Sequence, residues 1–506
     1  MSLLSFRIGR LALVVLAGVL IAPLPTSARP GPDGFADLAQ KLLPAVVNIS
    51  TTQTAKADSG SGTSERLKPD MPQFPPGSPF EEFFKNFFDH QQDHGGEQGK
   101  PQAETRRTTS LGSGFIIDSS GYVVTNNHVI NDADEITVIL HDNTNLKATL
   151  VGRDTKTDLA VLKINAHEPL TAVTWGDSDT SRVGDWVLAI GNPFGLGGTV
   201  TAGILSARQR DINSGPYDDF LQTDASINRG NSGGPMFNMD GQVIGINTAI
   251  YSPSGGSIGI GFAIPSSMAK EVVSELIHEN DHTVHRGWLG VRIQAVTDEI
   301  GESLGLDKPH GALVASVNDK GPAQLGGIEP GDIIVTFDGK TVTDVRHLPR
   351  LVAETPVDKT VDVTVWRKRH QVTVKVKLGR LNETETASAG DQDKKDKNKP
   401  QKEDAAAVNA LGMTLSNVTQ VLKEKFSLAD DAKGVVVTDV GKDSMAAEKG
   451  IKPGDVIMEV AQEEIQSTGQ VTTKIDAAKK SGRKSILLLV QRNGDLRFVA
   501  LRLDQG

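Results

Sequence analysis

Ser232 lies in Gly230-Asn231-Ser232-Gly233-Gly234-Pro235, a serine ringed by glycines and closed off by a proline. A serine hydroxyl is a weak nucleophile until a base takes its proton and backbone N–H groups stabilise the oxyanion that forms. Glycines on either side let the backbone turn tightly enough to aim such groups inward. The same run also reads as an ordinary glycine-rich turn, so its partners decide. A nucleophilic serine needs an imidazole base and a carboxylate to orient it. His128 ends the apolar segment Tyr122-Val123-Val124-Thr125-Asn126-Asn127, which reads as a strand, and Asp158 stands at the mouth of another, Leu159-Ala160-Val161-Leu162-Lys163-Ile164. Singly, the histidine reads as a strand-end residue and the aspartate as a turn residue. Taken together, in the order His, Asp, Ser and each at a strand edge, they point to acyl transfer. His128 is the expected general base, Asp158 its orienter and Ser232 the nucleophile.

The elements around Ser232 narrow the fold. Gly-Asn-Ser-Gly-Gly also fits Gly-x-Ser-x-Gly, but that elbow demands a helix directly after the serine and an acid and base later in the chain. Gly233-Gly234-Pro235 opposes a helix, and both partners come earlier. Met236-Phe237, Asn238-Met239-Asp240-Gly241 and Gln242-Val243-Ile244-Gly245-Ile246 read as strand, turn, strand. That context fits a β-barrel.

Thr125-Asn126-Asn127-His128-Val129, Thr157-Asp158-Leu159-Ala160-Val161 and Asn228-Arg229-Gly230-Asn231-Ser232-Gly233-Gly234-Pro235 resemble the three active-site blocks of the HtrA/DegP serine proteases. The likeness continues through Ala189-Ile190-Gly191-Asn192-Pro193-Phe194-Gly195, Gln222-Thr223-Asp224-Ala225 and Gly261-Phe262-Ala263-Ile264-Pro265. It implies a mainly β, multidomain chain: a chymotrypsin-like double β-barrel followed by two α+β PDZ domains.

Length and composition agree. A chain of 506 residues is too long for one core and suggests several domains. A net charge of −10 gives no reason to expect nucleic acid or an acidic membrane surface as a partner. Gly339-Lys340-Thr341 looks like the end of a phosphate loop, but Ile334 stands where its first glycine is required. Proteolysis is therefore expected to run without ATP, and no cofactor or metal is expected. Arg7 and Arg10 precede an apolar run from Leu11 to Ala22, then Thr26-Ser27-Ala28, which reads as a signal peptide over 1–28 cleaved after Ala28. The alternative is an uncleaved anchor, for which the run is short. There is no cysteine, so an exported chain has no disulfide to rely on.

The protease domain is expected over 29–285, with residues 52–110 as a long loop carrying the stripe Phe80, Phe83, Phe84, Phe87 and Phe88. One reading packs that stripe on its own barrel. The resemblance implies a loop that reaches a neighbouring subunit and gates its active site. The resemblance also implies an oxyanion hole from the N–H groups of Gly230 and Ser232 with Asn231 between them. In trypsin-like folds the residue six before the nucleophile floors the specificity pocket; here it is Ser226 rather than an acid, so basic side chains are not expected there. The resemblance implies that Ile227 and Ile250 narrow the pocket and favour a small aliphatic residue such as Val or Ala; the residues themselves also read as plain core. Arg210 matches an arginine that senses an activated PDZ domain, with Arg208 close by as a competitor.

His278-Glu279-Asn280-Asp281-His282 fits the His-Glu-x-x-His pattern of zinc proteases, with His285 nearby. Asn280 and Asp281 are poor helix-interior residues, and the stretch ends a helix before a domain boundary, so zinc chemistry is not expected.

A repeat follows. Gly311-Ala312-Leu313-Val314 with Gly327-Ile328-Glu329-Pro330-Gly331-Asp332 recurs as Gly434-Val435-Val436-Val437 with Gly450-Ile451-Lys452-Pro453-Gly454-Asp455. The copies are expected as PDZ domains over 286–382 and 405–506, joined by a charged linker over 383–404. PDZ domains add a peptide as an extra strand and hold its carboxylate in a backbone nest. The first nest would be Trp288-Leu289-Gly290-Val291 and the second Leu411-Gly412-Met413, although the second copy also reads as an assembly module that binds no peptide. The expectation is an exported, ATP-independent serine endopeptidase acting on unfolded or misfolded proteins. A homotrimer that builds larger assemblies, in the periplasm and with no stable membrane span, is implied by the resemblance. The rival reading is a chaperone or PDZ scaffold with an idle protease domain.

Overall fold

The computed structural model describes residues 32, 34–55, 106–192, 198–228, 230–252, 256–381, 408–429 and 432–503. The signal segment, the phenylalanine stripe, the 383–404 linker, Arg229 and Pro193-Phe194-Gly195 lie outside these residues.

Two closed antiparallel barrels form the first half. The first contains β1 (Val46–Ala55), β2 (Arg106–Asp118), β3 (Tyr122–Asn126), β4 (Glu135–Ile139), β5 (Asn145–Asp154) and β6 (Leu159–Ile164), in the order β1-β2-β3-β6-β5-β4. The second contains β7 (Trp186–Gly191), β8 (Thr199–Arg210), β9 (Phe220–Thr223), β10 (Pro235–Phe237), β11 (Val243–Ile250) and β12 (Gly261–Pro265), in the order β10-β11-β12-β9-β8-β7. Closure leaves no unpaired sheet edge. Val47, Ile49, Ile116, Val123, Val138 and Leu162 fill the first barrel. Leu188, Ile190, Leu205, Phe237 and Ile246 belong to a second cluster that runs on to Phe115, Val124 and Leu159 of the first barrel. The two barrels are thus fused by apolar packing, with about 1.5–3 kcal/mol gained per fully buried large side chain.

Helix α1 (Ala36–Leu42) leads into β1. The one-turn α2 (Asn127–Ile130) directly follows β3, and α3 (Ser266–His278) follows β12. Ala269, Val272, Val273 and Leu276 give α3 a buried stripe at helical spacing.

The two repeats fold alike. The first forms a sheet from Val291–Ala295, Ala312–Val317, Ile333–Phe337, Thr360–Arg367 and His370–Lys377, with Val291–Ala295 at one edge. Asp332 is buried and bonded to Arg367 (Nε at 2.7 Å, Nη2 at 2.6 Å). Asp455, its counterpart in the second repeat, is held in the same way by Arg492 (2.6 and 2.7 Å). The repeated Gly-Asp therefore marks a buried ion pair in each copy.

One difference separates the copies. In the second, Met413–Asn417 is not an edge, because Val408–Ala410 pairs with it through Ala410↔Met413, Asn409↔Thr414 and Val408↔Leu415. Leu411 (φ +54°) and Gly412 (φ +76°) form the turn between them. The turn of Leu411, Gly412 and Met413 thus joins two strands of the chain's own hairpin.

Candidate active site

The site lies where the two barrels meet. β3 delivers His128 through the α2 turn, and the β5–β6 connection delivers Asp158 beside it. Asp158 adopts the left-handed conformation (φ +56°), unusual for a residue with a Cβ. Its carbonyl is held twice, by Asn127 N–H at 3.1 Å and by Asn126 Nδ2 at 2.8 Å. Its carboxylate is also used twice: Oδ1 accepts from the His128 backbone N–H at 2.9 Å, and Oδ2 lies 2.6 Å from His128 Nδ1. The imidazole is buried, so its orientation is set by these contacts.

Ser232 comes from the other barrel, in the tight turn before β10. Gly230 (φ +96°) and Gly233 (φ +85°) take backbone conformations that favour glycine. A Cβ on Gly233 would sit 2.2 Å from the Ser113 carbonyl. Gly233 N–H bonds Asn247 O at 2.8 Å and Gly234 N–H bonds Asn231 O at 2.9 Å. Among the described residues the N–H groups of Gly230 and Ser232 donate to no carbonyl. The Ser232 hydroxyl donates to Thr248 O at 3.3 Å. Asn126 ties the halves together: its Nδ2 reaches both the Asp158 carbonyl and, at 3.0 Å, Thr248 Oγ1 of the second barrel. This buried carboxamide was not singled out from the sequence, where it is one of two adjacent asparagines.

The chain matches the trypsin-like peptidase domain model over residues 112–246 and the PDZ domain model over 287–378 and 409–503. It is 47% identical over 479 residues to a probable periplasmic serine endoprotease DegP-like of Brucella suis biovar 1 (strain 1330), covering 93% of this chain and 90% of that one. It belongs to the HtrA/DegP family. The DegP-like endoprotease of Rhizobium meliloti (strain 1021) is 44% identical over 485 residues, covering 94% and 93% of the two chains. Among solved structures, the HtrA-type protease AlgW with decapeptide aligns with a TM-score of 0.54 at 41% identity, covering 69% of this chain and 99% of that one. The chain is thus a periplasmic serine endoprotease of HtrA/DegP type with two PDZ domains.

The remaining expected residues fall in different places. Ser226 is exposed, and its carbonyl accepts from Thr201 Oγ1 at 3.0 Å. Ile227 is buried against Gly261 of β12, and Ile250 is buried in the core at the end of β11. The next residue, half-buried Tyr251, donates its backbone N–H to Ile260 O at 3.0 Å. Arg210 ends β8 with its Nε on Gln222 Oε1 at 2.9 Å, and Arg208 pairs with Asp179 at 3.6 Å. The ion pairs described between this loop and the first PDZ domain are instead made by acids: Asp211 with Arg346 and Asp219 with Arg350. Arg286, at the domain boundary, is buried and bonded to Asp154 at the end of β5 (Nη1 to Oδ1, 3.0 Å).

In the first PDZ domain Leu289 is buried with its carbonyl accepting Ala323 N–H at 2.9 Å. Gly290 (φ +76°) lies against the Trp288 ring, 3.3 Å from where a Cβ would begin, and half-buried Val291 opens the free edge strand. His278 and His282 do not share a helical face, because α3 stops at His278 and the His282 ring donates to Leu276 O at 3.0 Å. Among the described residues no cluster of three or more His, Cys, Asp or Glu is placed to hold a metal. No described helix is long and apolar enough to cross a membrane.

Proposed function

We propose that this endoprotease cleaves unfolded or misfolded exported proteins through His128, Asp158 and Ser232, without nucleotide. The observation that carries the reading is the 2.6 Å contact between His128 Nδ1 and Asp158 Oδ2, tied to the barrel of Ser232 through Asn126 Nδ2, which reaches both the Asp158 carbonyl and Thr248 Oγ1. Attack requires the Ser232 hydroxyl to leave the Thr248 carbonyl and give its proton to His128 Nε2. Asp158 keeps the Nδ1 proton in place and stabilises the imidazolium that forms. The N–H groups of Gly230 and Ser232, with Asn231 between them, hold the oxyanion of the tetrahedral intermediate. His128 then returns the proton to the leaving amine, and water repeats the sequence on the acyl-enzyme.

A serine rather than an acid at position 226, together with buried Ile227 and Ile250, supports a small aliphatic residue before the scissile bond. The free edge of Val291–Ala295 beside Trp288, Leu289 and Gly290 supports peptide capture by the first PDZ domain, as an added strand. The closed edge of the second domain supports its use in assembly. Contacts of Asp211 and Asp219 with the first PDZ domain support a path by which peptide occupancy reaches the protease, with Arg210 ending the strand that leads into that loop. A trimer that builds larger assemblies completes the proposal, and chaperoning accompanies cleavage.

The test compares the mature chain with Ser232→Ala on an unfolded protein, without nucleotide and with chelator present. Cleavage by the parent and its collapse in the variant are expected, the residual rate being on the order of 10³–10⁴ over water. Equal cleavage by Ser232→Ala overturns the assignment, and loss with chelator alone turns it toward a metal.

A further inference from the structure

Ser113 is a fully buried residue of β2, in the first barrel, far in sequence from the nucleophile. Its polar groups converge on the catalytic turn. The Ser113 N–H donates to the carbonyl of Ser232 at 2.9 Å. Its hydroxyl donates to the carbonyl of Gly230 at 2.5 Å and accepts from the N–H of Asn192 at 2.8 Å. The Ser113 carbonyl in turn accepts from Thr125 Oγ1 at 2.7 Å, three residues before His128. A buried hydroxyl has one proton to give, and here it is given to the turn that carries the oxyanion donors.

Resting on the serine-protease reading above, we infer that Ser113 is a positioning residue for the oxyanion hole. Gly230 sits in a glycine conformation (φ +96°) and has no side chain to hold it, so its peptide planes are free to rotate unless a bond fixes them. The Ser113 hydroxyl fixes the carbonyl side of Gly230, while Gly233 N–H on Asn247 O fixes the other end of the turn. Because the same hydroxyl accepts from Asn192, movement of the backbone at the end of β7 alters the bond that orients Gly230. The carbonyl of Gly230 and the N–H of Asn192 are therefore linked through one side chain. Loss of the hydroxyl leaves the buried Gly230 carbonyl and the part-buried Asn192 N–H without it, and the turn gains freedom to swing its donors away from the oxyanion.

The experiment measures Ser113→Ala, Ser113→Cys and Ser232→Ala beside the parent in the full mature chain. Active-site titration gives the concentration of competent sites in each. A peptide substrate gives kcat and KM, and a peptide boronate, whose tetrahedral adduct places an oxygen in the hole, gives transition-state-like affinity. Removing a whole oxyanion donor costs about 10²–10³ in kcat, so a displaced one should cost roughly 10–100-fold. Ser113→Ala should lose that factor per titrated site, mainly in kcat, with KM within about twofold and boronate affinity falling in parallel. Ser113→Cys keeps a weak donor of similar shape and should fall between the two; it carries the same readout if Ser113→Ala does not fold. A purely structural role would lower the number of titratable sites and leave the constants per site unchanged, and that result overturns the inference. Turnover by Ser232→Ala would instead overturn the underlying reading.

Discussion

Asp158→Asn is the sharpest perturbation of the triad, because both carboxylate oxygens have assigned partners. Oδ1 accepts the backbone N–H of His128 at 2.9 Å, and that donor cannot reverse its role. An asparagine must therefore keep its carbonyl oxygen on that N–H and turn its amide group toward His128 Nδ1, now 2.6 Å away. Facing a donor, Nδ1 becomes the acceptor and the ring proton moves to Nε2, the atom that must take the Ser232 proton. Size and shape are nearly unchanged, and the carbonyl clamp by Asn126 and Asn127 is untouched, so the fold should hold. In a trypsin-type triad the same change costs about 10⁴ in kcat, which is about 5 kcal/mol of barrier. The assay is hydrolysis of a chromogenic peptide at neutral pH, normalised to folded protein by its thermal transition. A loss below about tenfold, with an intact transition, would refute the tautomer reasoning.

Ser226→Asp should place a carboxylate at the pocket floor and raise kcat/KM for Arg or Lys before the scissile bond by about 10–100-fold, the worth of a charged hydrogen bond; unchanged selectivity across a peptide library would remove Ser226 from the pocket. Asp332→Asn breaks the bidentate pair with Arg367, with Asp332 only 1% exposed, and should destabilise the first PDZ domain by about 3–5 kcal/mol. Calorimetry of the full chain should show one transition move while that of the barrels stays. Burial, with Arg350 nearby, pushes His347 below its ordinary 6.5. The folded state then binds fewer protons than the unfolded one, so stability is present above pH 6.5 and is lost as pH falls through the depressed value. The protection factors of amides in the helix His347–Ala353, corrected for the intrinsic slowing of exchange in acid, should fall on acidification, and His347→Gln should flatten that dependence. A C-terminal peptide should protect amides of Val291–Ala295 and leave Met413–Asn417 unchanged; protection of both would mean that Val408–Ala410 gives way.

The proposed triad could be read from the sequence because its chemistry dictates residue type, order and strand context together. The barrels were legible through the short apolar strands around each member. Ser113 and Asn126 were not, since each acts through pairing with residues far away in sequence, Ser113 with Gly230 and Asn126 with Thr248. Local patterning carries no trace of such partners, and both residues look like polar interruptions of a strand. Asp211 and Asp219 were passed over for a related reason. An acid in an irregular stretch reads as solvated until a domain more than a hundred residues away brings Arg346 and Arg350 to it.

The two PDZ copies show where a repeated motif stops predicting function. Both keep the buried Gly-Asp acid and its arginine, since that pair supports the sheet wherever it occurs. Whether the edge is open depends instead on what precedes the nest. In the first copy Gly287–Trp288 pairs with Gly379–Arg380 instead, so among the described residues Val291–Ala295 pairs with one strand only, while its Arg292 and Gln294 side chains bond Asp495 and Phe498 of the second repeat. In the second, Leu411 accepts a left-handed turn, which returns Val408–Ala410 along Met413–Asn417. Opening that edge requires breaking a three-residue pairing, within reach of a competing strand but not without cost. Leu411→Pro tests the point, because proline cannot adopt the positive φ the turn needs. It should release Val408–Ala410 and raise the peptide affinity of the second domain above that of the parent. If no peptide binds the variant, the closed edge is not what keeps peptides out, and the distinction between the domains must lie in the groove beyond it.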